Sequence, residues 1–149
     1  MKRLLLTCAA LIIFTATAFA YKVGDIIMVG GEMGVVFAVT TDGQHGKAMS
    51  ISQTTCSWER AKTWCAQYGR GWRLPKIDEL KVISNKKATL NSVLSANGYE
   101  KLVDDQLGHY WSSEECDLGR ARHVRVYDGS TGTEPKYNDS FLVRAVSAF

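Results

Sequence analysis

A chain of 149 residues, 46% of them apolar, with a formal charge of only +3, has the length of one packed domain. It lacks the dense basic surface that neutralising a run of phosphates requires, which sets nucleic-acid binding aside. Much of the basic excess sits at the start of the chain. Lys2 and Arg3 precede an apolar run from Leu4 to Phe14 and a small-x-small site at Ala18-Phe19-Ala20, the pattern of a signal peptide cleaved after Ala20. Cleavage removes two of the eighteen basic residues and none of the fifteen acidic ones, leaving a single domain of residues 21–149 with a formal charge of +1. That domain has no further apolar run of spanning length, so the expected location is secreted, periplasmic or cell-surface.

In chain order, Asp25–Val29, Gly34–Thr40 and Lys47–Ile51 are rich in β-branched residues and read as strands. Asp42-Gly43 and Gly46 supply a hairpin turn between the last two. After Cys56 the periodicity changes to about 3.6, and Trp58, Ala61, Cys65 and Tyr68 share one face of a helix over Ser57–Tyr68. Ser57 is placed to cap this helix and Gly69 to close it. Pro75 is expected at the first position of a second helix, whose buried stripe Ile77, Leu80 and Ile83 fades at Ser84-Asn85-Lys86-Lys87. Arg73 and Glu79 are expected to pair and orient that helix, and Leu90–Leu94 forms a separate helical turn ending at Asn97-Gly98. Tyr110–Ser113, Arg122–Tyr127 and Phe141–Val146 return to strand text, with a turn at Asp128–Gly132. Strands, helices, then strands predict an α+β domain: a mostly antiparallel sheet with two main helices packed beside it.

Export would place Cys56, Cys65 and Cys116 in an oxidising compartment. A helix over 57–68 separates Cys56 from Cys65 by about 13 to 14 Å along its axis, beyond disulfide reach. A bridge is therefore expected to involve Cys116, with Cys65 as the preferred partner and Cys56 as the alternative.

The helix Trp58-x-x-Ala61-x-x-x-Cys65, the turn Gly71-Trp72-Arg73-Leu74-Pro75 with Glu79-Leu80, the strand Tyr110–Ser113 and the closing Val143-Arg144-Ala145-Val146 resemble the C-type-lectin-like superfamily. More narrowly, they resemble exported bacterial domains similar to the C-terminal domain of a collagen-like adhesin. The resemblance implies a C-type-lectin-like fold whose later loops carry binding. In sugar-binding relatives a Glu-Pro-Asn loop and an Asn-Asp pair hold calcium. Here Lys136 stands at the amide position of Glu134-Pro135-Lys136, and Asn138-Asp139 lies almost adjacent, so no metal is expected there. Formylglycine-generating enzymes of related fold work through two cysteines, whereas the downstream half of this chain holds only Cys116.

His45, His109 and His123 are too scattered for a metal spacing, and no Gly-x-Ser-x-Gly elbow is present. Consecutive carboxylates point in different directions. The reading is a non-enzymatic module with no cofactor, binding a protein or glycan at the cell envelope. A structural envelope component without a soluble ligand is the alternative. Trp58, Trp64 and Trp72 read as core, with Trp111 the one tryptophan assigned a surface contact. The binding segment is placed at Ser113–Asp139, with Glu114, Glu115, Asp117, Arg120, Arg122, Tyr127, Tyr137, Asn138 and Asp139 as ligand-contact candidates, because it mixes adaptable polar and aromatic side chains.

Overall fold

The computed structural model describes residues 19–149, so the expected signal segment lies almost wholly outside the described residues. Eleven elements follow one another: β1 (Ile26–Val29), β2 (Glu32–Val39), β3 (Gly46–Ser50), β4 (Thr54–Thr55), α1 (Trp58–Tyr68), α2 (Ile77–Ala96), β5 (His109–Glu115), β6 (Arg120–Arg125), β7 (Thr131–Pro135), β8 (Leu142–Val143) and β9 (Val146–Ala148). They form two sheets, ordered β1-β2-β3-β9 and β4-β8-β5-β6-β7. Every strand pair is antiparallel except β5 with β8. The fold is α+β with two helices, as expected. The expected single sheet is instead two, and no helix among the described residues is long and apolar enough to cross a membrane.

The division into two sheets happens inside one apolar run. Phe141–Val146 reads as a single strand, yet Leu142–Val143 pairs in the five-stranded sheet and Val146–Ala148 pairs with β3. Arg144 sits at the crossing point, fully buried. It donates to Ser50 O at 2.7 Å, to Gln53 Oε1 at 3.0 Å and to Glu100 O. Gln53 Oε1 also accepts from the buried Tyr110 hydroxyl at 2.8 Å, and that hydroxyl accepts from Val103 N–H. One guanidinium and one amide thereby join β3, β5 and the segment after α2. A polar network buried this deeply is tolerated because each member has partners.

The helices divide the core between them. α2 covers Phe37, Tyr110, Val124 and Val126, while α1 covers Trp72, Trp111, Ala121 and Val143. On α1 the buried side chains are Trp58, Ala61 and Cys65, the stripe read from the sequence. Ser57 holds the N-cap position without a side-chain bond. Gly69 follows the helix in extended backbone and not in a left-handed cap; a Cβ there would lie 2.7 Å from the Trp72 ring and 2.9 Å from Glu32. α2 differs from the expected pair of helices by running unbroken for 20 residues from Ile77, with Pro75 outside it. Its polar middle is where the helix crosses the end of β6: Ser84 Oγ donates to Val126 O at 2.6 Å and Lys87 Nζ donates to Tyr127 O. Leu90 and Leu94 then continue the buried stripe. Trp111, assigned a surface contact from the sequence, is completely buried; its Nε1 donates to Cys56 O at 3.0 Å.

The Arg73–Glu79 pair is formed, and with two bonds: Nη1 to Oε1 at 2.7 Å and Nη2 to Oε2 at 2.9 Å. Burial alone would raise the Glu79 carboxyl, but Arg73, the Lys76 N–H and Lys47 outweigh it and hold it at about 2. A carboxyl depressed in the folded state stabilises the fold fully above its unfolded value, about 4.5, and loses that contribution as pH falls toward 2. Glu79→Gln should therefore flatten the acid limb of stability between those pH values, measured by urea unfolding at each pH. An unchanged acid limb would remove Glu79 from that role.

Candidate ligand-binding groove

Trp58 opens α1 and is almost fully buried, with its Nε1 donating to Ser112 O at 2.7 Å and its backbone N–H donating to Lys136 O at 2.9 Å. The Lys136 ammonium returns over the same ring, 4.8 Å from its centre, while Lys62 covers it at 4.0 Å. Cationic side chains gain from the face of an indole, most where water is displaced. Lys136 Nζ also reaches Glu115 Oε2 at 3.1 Å and Leu118 O at 3.0 Å. The first turn of α1 thus pins both the β5–β6 turn and the β7–β8 connection.

Between these parts lies an open groove of about 600 Å³, lined by Ser57, Glu59, Arg60, Leu118, Gly119, Lys136, Tyr137 and Asp139. Leu118 is 96% exposed and Tyr137 83% exposed. The surrounding turns are internally braced. Asp117 Oδ1 accepts from Gly119 N–H and Arg120 N–H at 2.8 Å each, and Asn138 Oδ1 accepts from Ser140 N–H and Oγ–H. Arg60, at the mouth, forms no ion pair among the described residues.

Of the nine predicted contact residues, Tyr137 and Asp139 line this groove. Glu115 holds Lys136, and Asp117 shapes the turn that carries Leu118. Arg120 lies along β7 through Thr133, and Asn138 braces Glu134 at 3.0 Å. Arg122 pairs with Glu114, whose other oxygen accepts the Ile77 N–H. Tyr127 stands apart: the register runs from Arg120↔Pro135 at the groove end to Val124↔Thr131 at the other, and Tyr127 follows that far end beside Lys87. Leu118, Gly119 and Lys136 fall inside the expected segment Ser113–Asp139 but are not among the named contacts, and Ser57, Glu59 and Arg60 lie outside it. The signal available for one of them was a lone leucine within Glu115–Gly119, an otherwise polar turn.

The cysteines correct another expectation. The three cysteines among the described residues are free: Cys56 and Cys65 are buried in the core cluster at α1, while Cys116 is exposed on the β5–β6 turn. The expected Cys65–Cys116 bridge, and its Cys56–Cys116 alternative, are not formed, because Cys116 is exposed on the β5–β6 turn while Cys65 lies on the buried face of α1 and Cys56, just ahead of that helix, is buried in the same core cluster. Burial pushes the Cys65 thiol up to about 12 and Cys56 adds to the rise, so the wide separation expected along the helix axis does not hold: Cys56 precedes α1 and packs in the same core cluster as Cys65. Burial raises Cys56 as well, partly offset by Arg60. Iodoacetamide should alkylate Cys116 in the native protein and leave Cys65 untouched until denaturant is added. Native labelling of Cys65, read by mass spectrometry, would contradict this burial.

Residues 34–147 match the family model described as the Lcl C-terminal domain, a span that includes both helices, the groove and the crossing at Arg144. The chain belongs to the Lcl C-terminal domain family. No curated protein matches this Lcl C-terminal domain chain. Among solved structures, the crystal structure of botrocetin, a C-type-lectin-like protein, aligns with a TM-score of 0.42 and 12% identity over 69% of this chain and 89% of that one. Trp58, Cys65, Gly71 and Trp72 lie within the Lcl C-terminal domain match, which carries no assignment of the groove.

Proposed function

We propose that this Lcl C-terminal domain is a non-enzymatic binding module of an exported protein, and that its protein or glycan ligand is held in the groove between the first turn of α1 and the β5–β6 and β7–β8 connections. The observation that carries the reading is the pairing of two nearly fully exposed apolar side chains, Leu118 and Tyr137, on turns that are fixed from beneath by Trp58 and Lys136. Solvent-exposed aromatic and aliphatic groups on rigid supports form contact surface at little cost in ordering. Asp139, Glu59 and Arg60 around them provide the polar rim.

The test is a screen of the purified protein against immobilised glycans and cell-envelope proteins, followed by Tyr137→Ala and Leu118→Ala. Each variant should weaken capture at least tenfold, equivalent to about 1.4 kcal/mol, with a melting temperature within about 2 °C of the parent. Retained capture in both variants would move the site elsewhere. Equal loss of melting temperature and capture would make these residues structural. An envelope assembly role without a soluble ligand is the second reading, supported by the exposed thiol of Cys116 at the edge of this surface. Non-reducing electrophoresis of material from cells separates them: a Cys116-dependent dimer or adduct favours assembly, and a monomer favours the ligand.

A further inference from the structure

The chain-order spacing of the histidines conceals a pair. His109 on β5 and His123 on β6 lie on the same face of the five-stranded sheet, where β5 and β6 pair His109 with Arg125 and Trp111 with His123. Their Nδ1 atoms face one another at 3.3 Å, and among the described residues neither ring has another hydrogen-bond partner. Phe141 stacks on His109 at 5.0 Å and meets the edge of His123 at 4.7 Å. On the next strand, Gly132 leaves the room that His123 occupies: a Cβ there would stand 2.6 Å from Nε2. The rings are thus held in place by an aromatic on one side and bare backbone on another.

We propose that His109 and His123 form a two-histidine site for one borderline divalent transition-metal ion, with Zn²⁺ and Cu²⁺ as the fitting chemistry. Metal–nitrogen bonds of about 2.0 to 2.1 Å meeting at a tetrahedral angle put the two nitrogens about 3.3 to 3.4 Å apart. The separation already present is the one such an ion requires, so exchanging the shared proton for a metal asks for a tilt of the rings and no movement of the strands. Imidazole suits Zn²⁺ and Cu²⁺, and the absence of oxygen ligands at the pair disfavours Ca²⁺ and Mg²⁺. The nearest formal charges also permit it. Arg125 is turned to Asp128 and Gln106, and Glu134 contributes a negative field toward His123. No cluster of three or more His, Cys, Asp or Glu forms a metal cage among the described residues, so the two histidines would be the protein's whole contribution and water or an external donor would have to complete the coordination.

The experiment is calorimetric titration of ZnCl2 and CuCl2 into the purified protein prepared without a histidine tag, with His109→Gln, His123→Gln and His45→Gln alongside. One ion should bind per chain. His109→Gln should weaken binding at least tenfold, and His45→Gln, on the exposed hairpin turn, less than twofold. His109 is only half-buried, so its variant should keep the parent fold by circular dichroism even where His123→Gln does not. Electron paramagnetic resonance of the Cu²⁺ complex of the parent, which needs no variant, should show coupling to two imidazole nitrogens. Absence of saturable one-to-one binding, unchanged affinity in His109→Gln, or a loss confined to His45→Gln would each overturn the site and leave the pair as a hydrogen bond only.

Discussion

Arg144→Ala should lower the melting temperature by about 10 to 20 °C. The side chain is fully buried and donates to Ser50 O, Gln53 Oε1 and Glu100 O. Truncation removes the Arg144 donors from Ser50 O and Glu100 O, leaves Gln53 Oε1 with the Tyr110 hydroxyl alone, and opens a cavity at the point where the chain crosses between sheets. Each unpaired buried polar group costs about 1 to 3 kcal/mol, so a total of about 3 to 5 kcal/mol follows. Arg144→Lys keeps the charge but cannot span three acceptors in one plane, and should fall between the parent and the alanine variant. The measurement is thermal and urea unfolding followed by circular dichroism. A shift of less than about 4 °C for Arg144→Ala would mean that the two sheets hold together without this network.

Trp58→Ala should cost about 3 to 5 kcal/mol and should also abolish ligand capture, since the same ring supports the core and the groove. Its indole is 1% exposed, its Nε1 holds Ser112 O, and Lys62 and Lys136 lie over its face. Trp58→Phe separates the two functions. It retains an aromatic face for the ammonium groups but leaves Ser112 O unpaired, a loss of about 1 to 3 kcal/mol, with capture largely preserved. Denaturant unfolding beside the capture assay distinguishes the outcomes. Stability of Trp58→Ala within about 1 kcal/mol of the parent would refute the anchoring role.

Helix α1 was legible because its evidence is local. Trp58, Ala61 and Cys65 recur at helical spacing, and a helix satisfies its own backbone, so the pattern needs no partner to be read. The Arg73–Glu79 pair was legible for the same reason, being six residues apart across one turn. The break assigned to α2 at Ser84–Lys87 was an error of context: those polar side chains bond to carbonyls at the end of β6, about forty residues away in the chain. Trp111 was misassigned because burial in a sheet depends on which element covers it, and α1 does.

The site divides along the same line. The amino-acid sequence determined by itself the α+β order, the amphipathic face of α1 and the polar character of the later turns, since each is a matter of spacing along the chain. Tertiary structure alone decided that Phe141–Val146 serves two sheets, that Cys116 points away from Cys65, that Tyr127 lies at the far end from Tyr137, and that His109 and His123 meet. These depend on strand register, where a shift of one residue reverses every side chain, and on contacts between segments far apart in the chain.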